Sequence, residues 1–565
     1  MSVAVDKYNE WLEDDLIDQV TKQELRDISA QPKEIEDRFY RDLQFGTGGL
    51  RGVLGAGTNR MNKYTVGLAT QGLAQFLLQQ FTGNRSIVIA YDSRNQSPEF
   101  ALEAALVMAG NGIKAYVFRT LRPTPELSFA VRYLKASSGI VITASHNPPE
   151  YNGYKAYDAN GCQYLTHDAE LIIEQVQQLN SLGQVKRLAQ GEAEAAGLLE
   201  WIDEAVDQAF IHAVTAVSQT FDKENHLTSD LKIVFTPLHG AGNLSVRRVL
   251  QENGFRHVYV VPEQEKPDAL FSTVTSPNPE EKQAFVLAVK LAEQKEADLV
   301  IGTDPDCDRM GIAVRNQHNE YIILTGNQTG AILIHYLLSR MKEQGGIPTQ
   351  GIVFKTIVTS EMGAKIAQSY GVKVENTLTG FKYIGEKISQ IVEAGVEQFI
   401  FGYEESYGYL AGTHCRDKDG VVASLLISEA AAYYKSRGKT LYEVLQQLYK
   451  VHGFFLEKLQ SITLKGKEGL EQMGAMMAGL RENPLQTVNG QKVREIQDYL
   501  LGINGLPEEN VLKYFLADGS WFCIRPSGTE PKIKIYLSVC CQSEQGAASS
   551  MDSLVEGVMG LLMIQ

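Results

Sequence analysis

Three times along the chain an apolar run breaks off into a short polar loop and then resumes. Gly139-Ile140-Val141-Ile142 leads into Thr143-Ala144-Ser145-His146-Asn147-Pro148-Pro149, and Leu299-Val300-Ile301-Gly302 leads into Asp304-Pro305-Asp306-Cys307-Asp308-Arg309. Phe399-Ile400-Phe401-Gly402 leads into Tyr403-Glu404-Glu405-Ser406-Tyr407-Gly408. β-Branched and aromatic runs bounded by small polar residues, Gly and Pro predict buried strands that end in tight loops. Upstream of each lies a second strand-turn-helix pattern, at 87–94, 233–242 and 351–360. The pattern predicts three related α/β units in tandem, their key loops converging from three domains on one cleft.

The remaining pattern frames these repeats. Residues 1–45 carry mixed charges at helical spacing and predict two surface helices. A helix over 63–81, a strand over 87–91 and a helix over 98–111 follow, with Asp92-Ser93-Arg94 at the strand's end. Residues 180–200 lack periodicity ahead of a helix at about 201–220, and Thr325-Gly326-Asn327 opens another helical segment. Near residue 450 the repeat ends. The rest reads as α+β, with a helix over 467–482 and strands over 511–517, 520–525 and 532–539. At 565 residues the chain exceeds one hydrophobic core. The expected division is domain I over 1–205 with the Ser145 loop and domain II over 206–324 with the aspartate loop. Domain III then covers 325–448 and domain IV 449–565.

Composition narrows the class. Apolar residues make up 44% and charged ones 21%, the proportions of an ordinary globular protein. No apolar run approaches the roughly 18–20 residues a membrane span needs, and the N-terminus has no signal-peptide core. Six cysteines without metal spacing imply no disulfide framework, so a cytoplasmic location is expected. A net charge of −15 argues against non-specific nucleic-acid binding. It leaves room for a small anionic substrate, which needs only a locally positive cleft.

Five loops carry candidate chemistry. Ser145 sits on a rigid strand end beside His146 and ahead of Lys155, as a nucleophile or a phosphate carrier. Asp304, Asp306 and Asp308 alternate on one loop, and carboxylates so close repel unless a cation or protons neutralise them. Oxygen-only ligands favour a hard ion such as Mg²⁺; the bland alternative is a solvated acidic turn. Arg309 beside them suits a phosphate. Glu404, Glu405 and Ser406 between glycines offer acceptors for vicinal sugar hydroxyls, or form a charged turn. Arg525-Pro526-Ser527-Gly528-Thr529 combines an arginine, hydroxyls and a glycine N–H into a phosphate cradle, or makes a structural turn. The glycine-rich loop Gly46-Thr47-Gly48-Gly49-Leu50-Arg51 brings backbone N–H groups and Arg51 toward an anion. Lys382 lies in a turn where it is either solvated or a phosphate or proton partner, and His239 is expected to order its own loop. Asp417-Lys418-Asp419-Gly420 reads as a helix N-cap rather than a catalytic group.

Taken in order, GTGGLRG, TASHNP, DPDCDR, GYEESYG and RPSGTEPK resemble the α-D-phosphohexomutase superfamily over nearly the whole chain, and most closely its phosphoglucomutase members. The resemblance implies three similar α/β domains with mixed sheets plus a C-terminal α+β domain of the TATA-binding-protein-like kind around a central cleft. It implies that Ser145 carries a phosphoryl group and that Asp304, Asp306 and Asp308 hold one Mg²⁺ together with an oxygen of Ser145. Arg51 and Arg309 would lie beside the phosphoserine, with Lys155 and Lys382 as acid/base or phosphate-contacting groups. Glu404 and Ser406 match the sugar loop, and Arg525, Ser527, Gly528 and Thr529 the clamp on the non-reacting phosphate. The implied activity converts glucose 1-phosphate to glucose 6-phosphate, with glucose 1,6-bisphosphate as intermediate and activator. Related alternatives are a mannose or pentose phosphate mutase, and different ones a Mg²⁺-dependent phosphatase or a sugar-phosphate sensor. Implied partners are small hexose phosphates, with no nucleic acid and no membrane, on a monomer or homodimer.

Overall fold

The structure, a computed structural model, describes residues 3–46, 49–219, 230–464, 466–526 and 532–564. The chain forms two compact units, one of residues 1–329 with 381–440 and one of 330–380 with 441–565.

In the first unit the two leading repeats each build a mixed sheet on one plan. The first sheet runs in the order Leu50–Val53, Tyr151–Tyr157, Ser138–Ile142, Ser86–Tyr91, Lys114–Phe118 and Leu199–Ile202. Ser86–Tyr91 lies parallel to Ser138–Ile142, which turns back into antiparallel Tyr151–Tyr157. The second sheet repeats this: Lys232–Thr236 lies parallel to Leu299–Thr303, which turns back into Met310–Arg315. Strands such as Ser138–Ile142 and Leu299–Thr303 are buried at every position, which is why they read as unbroken apolar runs rather than alternating ones. The third repeat gives this unit the antiparallel pair Gln398–Tyr403 and Tyr409–Ala411.

Two expectations need correction here. Residues 1–45 form three helices, not two: Val3–Glu13, Gln19–Asp27 and Pro32–Phe39. Asp18 accepts from Thr21 N at 2.8 Å to start the second, and Pro32 opens the third, so caps divide what periodicity alone joins. The helix expected at 201–220 starts later, as Glu204–Thr215, because Leu199–Ile202 is an edge strand paired with Lys114–Phe118. Residues 220–229 lie outside the described range.

In the second unit Gly351–Thr356 pairs in parallel with Lys373–Thr377. The C-terminal part is a six-stranded antiparallel sheet, ordered Phe454–Thr463, Lys532–Cys541, Trp521–Pro526, Leu512–Leu516, Gln491–Asp498 and Thr487–Val488. Helices Gly466–Glu482 and Glu544–Ile564 pack on its core through Met473, Met477, Met551, Leu554 and Val558. The expected α+β character is present, with strands Phe454–Thr463, Thr487–Val488 and Gln491–Asp498 and the last helix in addition to the predicted elements. No helix among the described residues is long and apolar enough to cross a membrane.

Candidate active site

The Ser145 loop connects two antiparallel strands that approach unusually closely. A Cβ on Gly153 would lie 2.4 Å from the Thr143 carbonyl oxygen, so only glycine lets these backbones meet. Ser145 itself has φ +52°, in the left-handed region that a β-carbon disfavours. Its N–H donates to Thr143 Oγ1 at 2.8 Å, and its hydroxyl is almost fully buried.

The aspartate loop follows the equivalent strand of the second sheet. Gly240 lies against it so tightly that a Cβ would sit 2.4 Å from Pro305 Cα, and Ala241 N–H donates to the Pro305 carbonyl at 2.7 Å. His239 orders that supporting loop as expected, with Nδ1 2.9 Å from the Lys266 carbonyl and Nε2 2.8 Å from Thr273 Oγ1.

These loops meet. Ser145 Oγ donates to Asp304 Oδ2 at 2.6 Å, and carboxylate oxygens of Asp304, Asp306 and Asp308 lie within 4.8 Å of one another, all buried. Lys155 Nζ donates to Asp306 Oδ2 at 2.7 Å and Asp308 Oδ2 at 3.2 Å. Thr124 Oγ1 adds a bond to Asp306 Oδ2 at 3.0 Å, and Arg309 N–H one to Asp304 Oδ1 at 3.0 Å. Burial, then Asp306 and Asp308, push the Asp304 carboxyl well above the usual range. Burial acts against Asp308 as well, but Lys155, Lys418 and Arg309 outweigh it and hold that carboxyl below its ordinary value. Burial likewise opposes the Lys155 charge, and Asp306 and Asp308 overcome it, so the ammonium stays protonated.

Lys418 is the residue that sequence reasoning missed. Asp419 does cap the helix Gly420–Lys435, accepting from Val421 N at 2.7 Å and Val422 N at 3.0 Å, as the sequence suggested. The lysine before it turns into the site, with Nζ 3.1 Å from Asp308 Oδ2 and 2.9 Å from Asp417 Oδ1. Tyr157 OH fixes Asp417 from the other side at 2.8 Å. The signal available was a lysine between two aspartates at a helix start, which is also what a solvated cap looks like.

The other predicted residues are placed as follows. Arg51, exposed on Leu50–Val53, donates to Asn147 Oδ1 of the Ser145 loop at 3.2 Å. Arg309 donates to Glu280 at 2.6 Å. His146 Nδ1 lies 3.1 Å from Ser145 Oγ, and burial with Arg309 and Arg51 keeps the ring neutral by lowering its pKa well below normal. Glu404 is buried, and burial pushes its carboxyl up to about 7 despite Lys418 and Arg309. Ser406 lies on the turn two residues on, and Gly408 at its end bridges to Arg309. Lys382, half-buried at the start of Phe381–Ala394, places its ammonium over the Tyr383 ring at 5.2 Å. The neighbouring Phe381 ring lies 5.7 Å from Lys418 Nζ. In the second unit Arg525 Nε donates to Glu509 at 2.8 Å. Thr47, Gly48, Ser527, Gly528 and Thr529 lie outside the described residues.

The three aspartates fit a hard divalent ion. Asp306 Oδ1 and Asp308 Oδ1 are buried without a hydrogen-bond partner, and the donor set is oxygen only. Clustered buried acceptors left open this way suit a cation as their missing partner.

Sequence models of the phosphoglucomutase/phosphomannomutase family match domain I at residues 42–182, domain II at 208–317, domain III at 325–452 and the C-terminal domain at 476–552. A phosphoglucomutase of Staphylococcus haemolyticus (strain JCSC1435) is 39% identical over 518 residues, 89% of this chain and 91% of its own. One from Staphylococcus aureus (strain USA300) is 38% identical over 539 residues, covering 93% and 95%. Among solved structures, the Paramecium phosphoprotein pp63/parafusin, a phosphoglucomutase in its open form, aligns at a TM-score of 0.71 with 19% identity over 92% of this chain and 95% of its own. A putative phosphomannomutase from Thermus thermophilus aligns at 0.69 with 23% identity, covering 93% and 99%. At those identities the structural likeness concerns the fold.

Proposed function

The chain belongs to the phosphoglucomutase/phosphomannomutase family, and we propose that it interconverts glucose 1-phosphate and glucose 6-phosphate through a phosphoserine at Ser145. It is a phosphoryl-transferring mutase, as the curated phosphoglucomutases that match over most of its length indicate. The observation that carries the assignment of Ser145 is its hydroxyl, aimed at Asp304 Oδ2 at 2.6 Å beside three buried carboxylates and two lysines.

In the forward direction the Ser145 phosphoryl group passes to the 6-hydroxyl of glucose 1-phosphate, giving glucose 1,6-bisphosphate. The intermediate then reverses in the site, Ser145 takes the phosphoryl group from C1, and glucose 6-phosphate leaves. Free glucose 1,6-bisphosphate would therefore prime the unphosphorylated enzyme. Asp304, Asp306 and Asp308 would hold Mg²⁺ with a phosphoserine oxygen, and the ion when bound neutralises charge on the phosphoryl oxygens. Lys155, Lys418 and Arg309 all approach Asp308, at 3.2, 3.1 and 3.9 Å, so charge spread over the transferring group would meet cations already held in place. Arg51 adds a cation from the first domain's edge strand.

When Ser145 is the acceptor, its proton lies on the hydrogen bond to Asp304 Oδ2, with neutral His146 Nδ1 as a second neighbour at 3.1 Å. His146 is poorly suited to act as a base toward Ser145, since its ring would have to collect a charge that burial and two arginines oppose. Lys155 and Lys382 are assigned to proton exchange with the sugar hydroxyl or to phosphate contact. Glu404 and Ser406 would accept from and donate to the sugar hydroxyls. Arg525, Ser527, Gly528 and Thr529 would grip the phosphate that is not reacting.

The deciding measurement is intact mass before and after glucose 1,6-bisphosphate, with the added phosphate mapped by peptide. Phosphate on Ser145, and near-complete loss of mutase activity in Ser145→Ala, are expected. Turnover of glucose 1-phosphate should exceed that of mannose 1-phosphate and ribose 1-phosphate; a tenfold preference for either would overturn the glucose assignment. Sustained release of inorganic phosphate at mutase-like rates would instead make the protein a phosphatase.

A further inference from the structure

Arg94 is buried to its last side-chain atom, yet it touches neither of the reacting oxygens described above. Its Nη1 donates to the carbonyls of Pro148 at 2.9 Å and Tyr151 at 3.0 Å. Its Nη2 donates to the carbonyls of Ser145 and Asn147, both at 2.5 Å. One guanidinium thus gathers four carbonyls of the loop that holds Ser145 in its left-handed conformation. A planar fork with five N–H groups can do this, and an ammonium with three cannot.

Two further contacts fix the guanidinium. Asp92 lies 3.3 Å from Nε, an ion pair outside hydrogen-bond geometry, and accepts from Arg94 N at 2.9 Å and Ser97 Oγ at 2.9 Å. The same carboxylate accepts from Thr143 Oγ1 at 2.6 Å, the hydroxyl that receives Ser145 N–H. On another side the Phe271 ring, fully buried, lies with its centroid 5.0 Å from Arg94 Cζ. Phe271 comes from the second α/β domain, in a stretch that also sends Ser276 Oγ to within 3.4 Å of the His146 carbonyl and Glu280 to Arg309. A ring face over a desolvated cation holds it by the ring's quadrupole.

We propose that Arg94, braced by Asp92 and by Phe271 from the second domain, is the positioning residue that aims Ser145 Oγ, so that contact between the two domains sets the rate of phosphoryl transfer. The inference rests on the reading of Ser145 as the phosphoryl carrier. Both bracing residues lie outside the aspartate, sugar and phosphate loops, and they act through the backbone of residues 145–151 rather than on substrate.

The test uses the full chain as wild type, Phe271→Leu and Arg94→Lys. Each is primed with glucose 1,6-bisphosphate, checked for one phosphate on Ser145 by mass, and followed through a single turnover with glucose 1-phosphate by rapid quench. Steady-state kcat and KM and the thermal midpoint are recorded alongside. Misplacing a reacting atom by about 1 Å costs on the order of a hundredfold in rate. Arg94→Lys is therefore expected to slow transfer about a hundredfold, and Phe271→Leu about tenfold, with KM within about twofold of wild type. Should Arg94→Lys fail to fold, Phe271→Leu decides the matter alone. Transfer by Phe271→Leu at the wild-type rate per folded molecule would overturn the inference, as would a KM that rises in step with falling kcat. A wild-type protein that takes no phosphate on Ser145 would overturn the carrier reading, and this inference with it.

Discussion

Lys155 and Lys418 approach the same Asp308 oxygen from different parts of the chain, at 3.2 and 3.1 Å. Two ammonium groups tolerate that proximity because a carboxylate lies between them, and the carboxylate ionises because both are there. Replacing Lys418 by Met is expected to lower kcat by about a hundredfold, as loss of one preorganised charge at a transferring group does. Steady-state assays beside a circular-dichroism melt would separate that loss from unfolding. Glu404 supplies a pH signature. With its carboxyl pushed up to about 7 by burial, it is protonated below that value and ionised above it. An ionised carboxylate is the better acceptor for sugar hydroxyls, so kcat/KM should fall on the acid side of about pH 7 and that limb should flatten in Glu404→Gln. A profile with the same acid limb in both proteins would refute the assignment of Glu404.

Among the elements, the strand-loop-strand repeat was legible because its strands are buried on both faces and end in residues that stop a strand. Ser138–Ile142 and Leu299–Thr303 are buried at every position up to the point where the loop begins. The elements that escaped are of another kind. Phe454–Thr463 is an edge strand whose Glu457, Lys458 and Gln460 break any apolar signal, and Leu199–Ile202 is four residues long. The role of Lys418 was hidden for a related reason. Its partner Asp308 lies far away in sequence, so local pattern showed a helix cap and stopped there. The juncture most sensitive to substitution is one glycine. Gly153→Ala would drive a methyl group into the Thr143 and Leu50 carbonyls. The expected cost is about 1–3 kcal/mol, as for other overpacked sites. Activity should fall further than stability, since the strained backbone lies directly beside the Ser145 loop; chemical denaturation and single-turnover assays on one preparation would compare the two.

Across the molecule, the buried aspartate cluster bears on stability with opposite signs at two of its members. In the metal-free protein Asp304 has a raised pKa, so its contribution is present below the ordinary carboxylate range and is lost as pH rises through the raised value. Asp308 has a lowered pKa, so its contribution is present above the ordinary range and is lost as pH falls. In EDTA at about pH 7 to 8, Asp304→Asn should therefore melt higher than wild type, by about 1 °C for each kcal/mol of repulsion relieved in a protein of this size. Asp308→Asn should melt lower, because it leaves Lys155 and Lys418 without their shared anion. Both should be inactive with Mg²⁺ restored, and wild type should lose turnover in EDTA and regain it on readdition. Scanning calorimetry on the three proteins checks the opposite signs.

The division of the chain into units has a consequence for the order in which the protein is made. Residues 381–440 belong with 1–329, while 330–380 belong elsewhere. A ribosome therefore delivers Ser145, the three aspartates and Lys155 well before Lys418. Until that lysine emerges, the nascent chain holds Asp308 with one of its two buried ammonium partners missing. Closing the first unit around the aspartates must wait for the helix start at Asp419-Gly420 to arrive, so the Ser145 loop and the charges around it mature after roughly three quarters of synthesis rather than domain by domain.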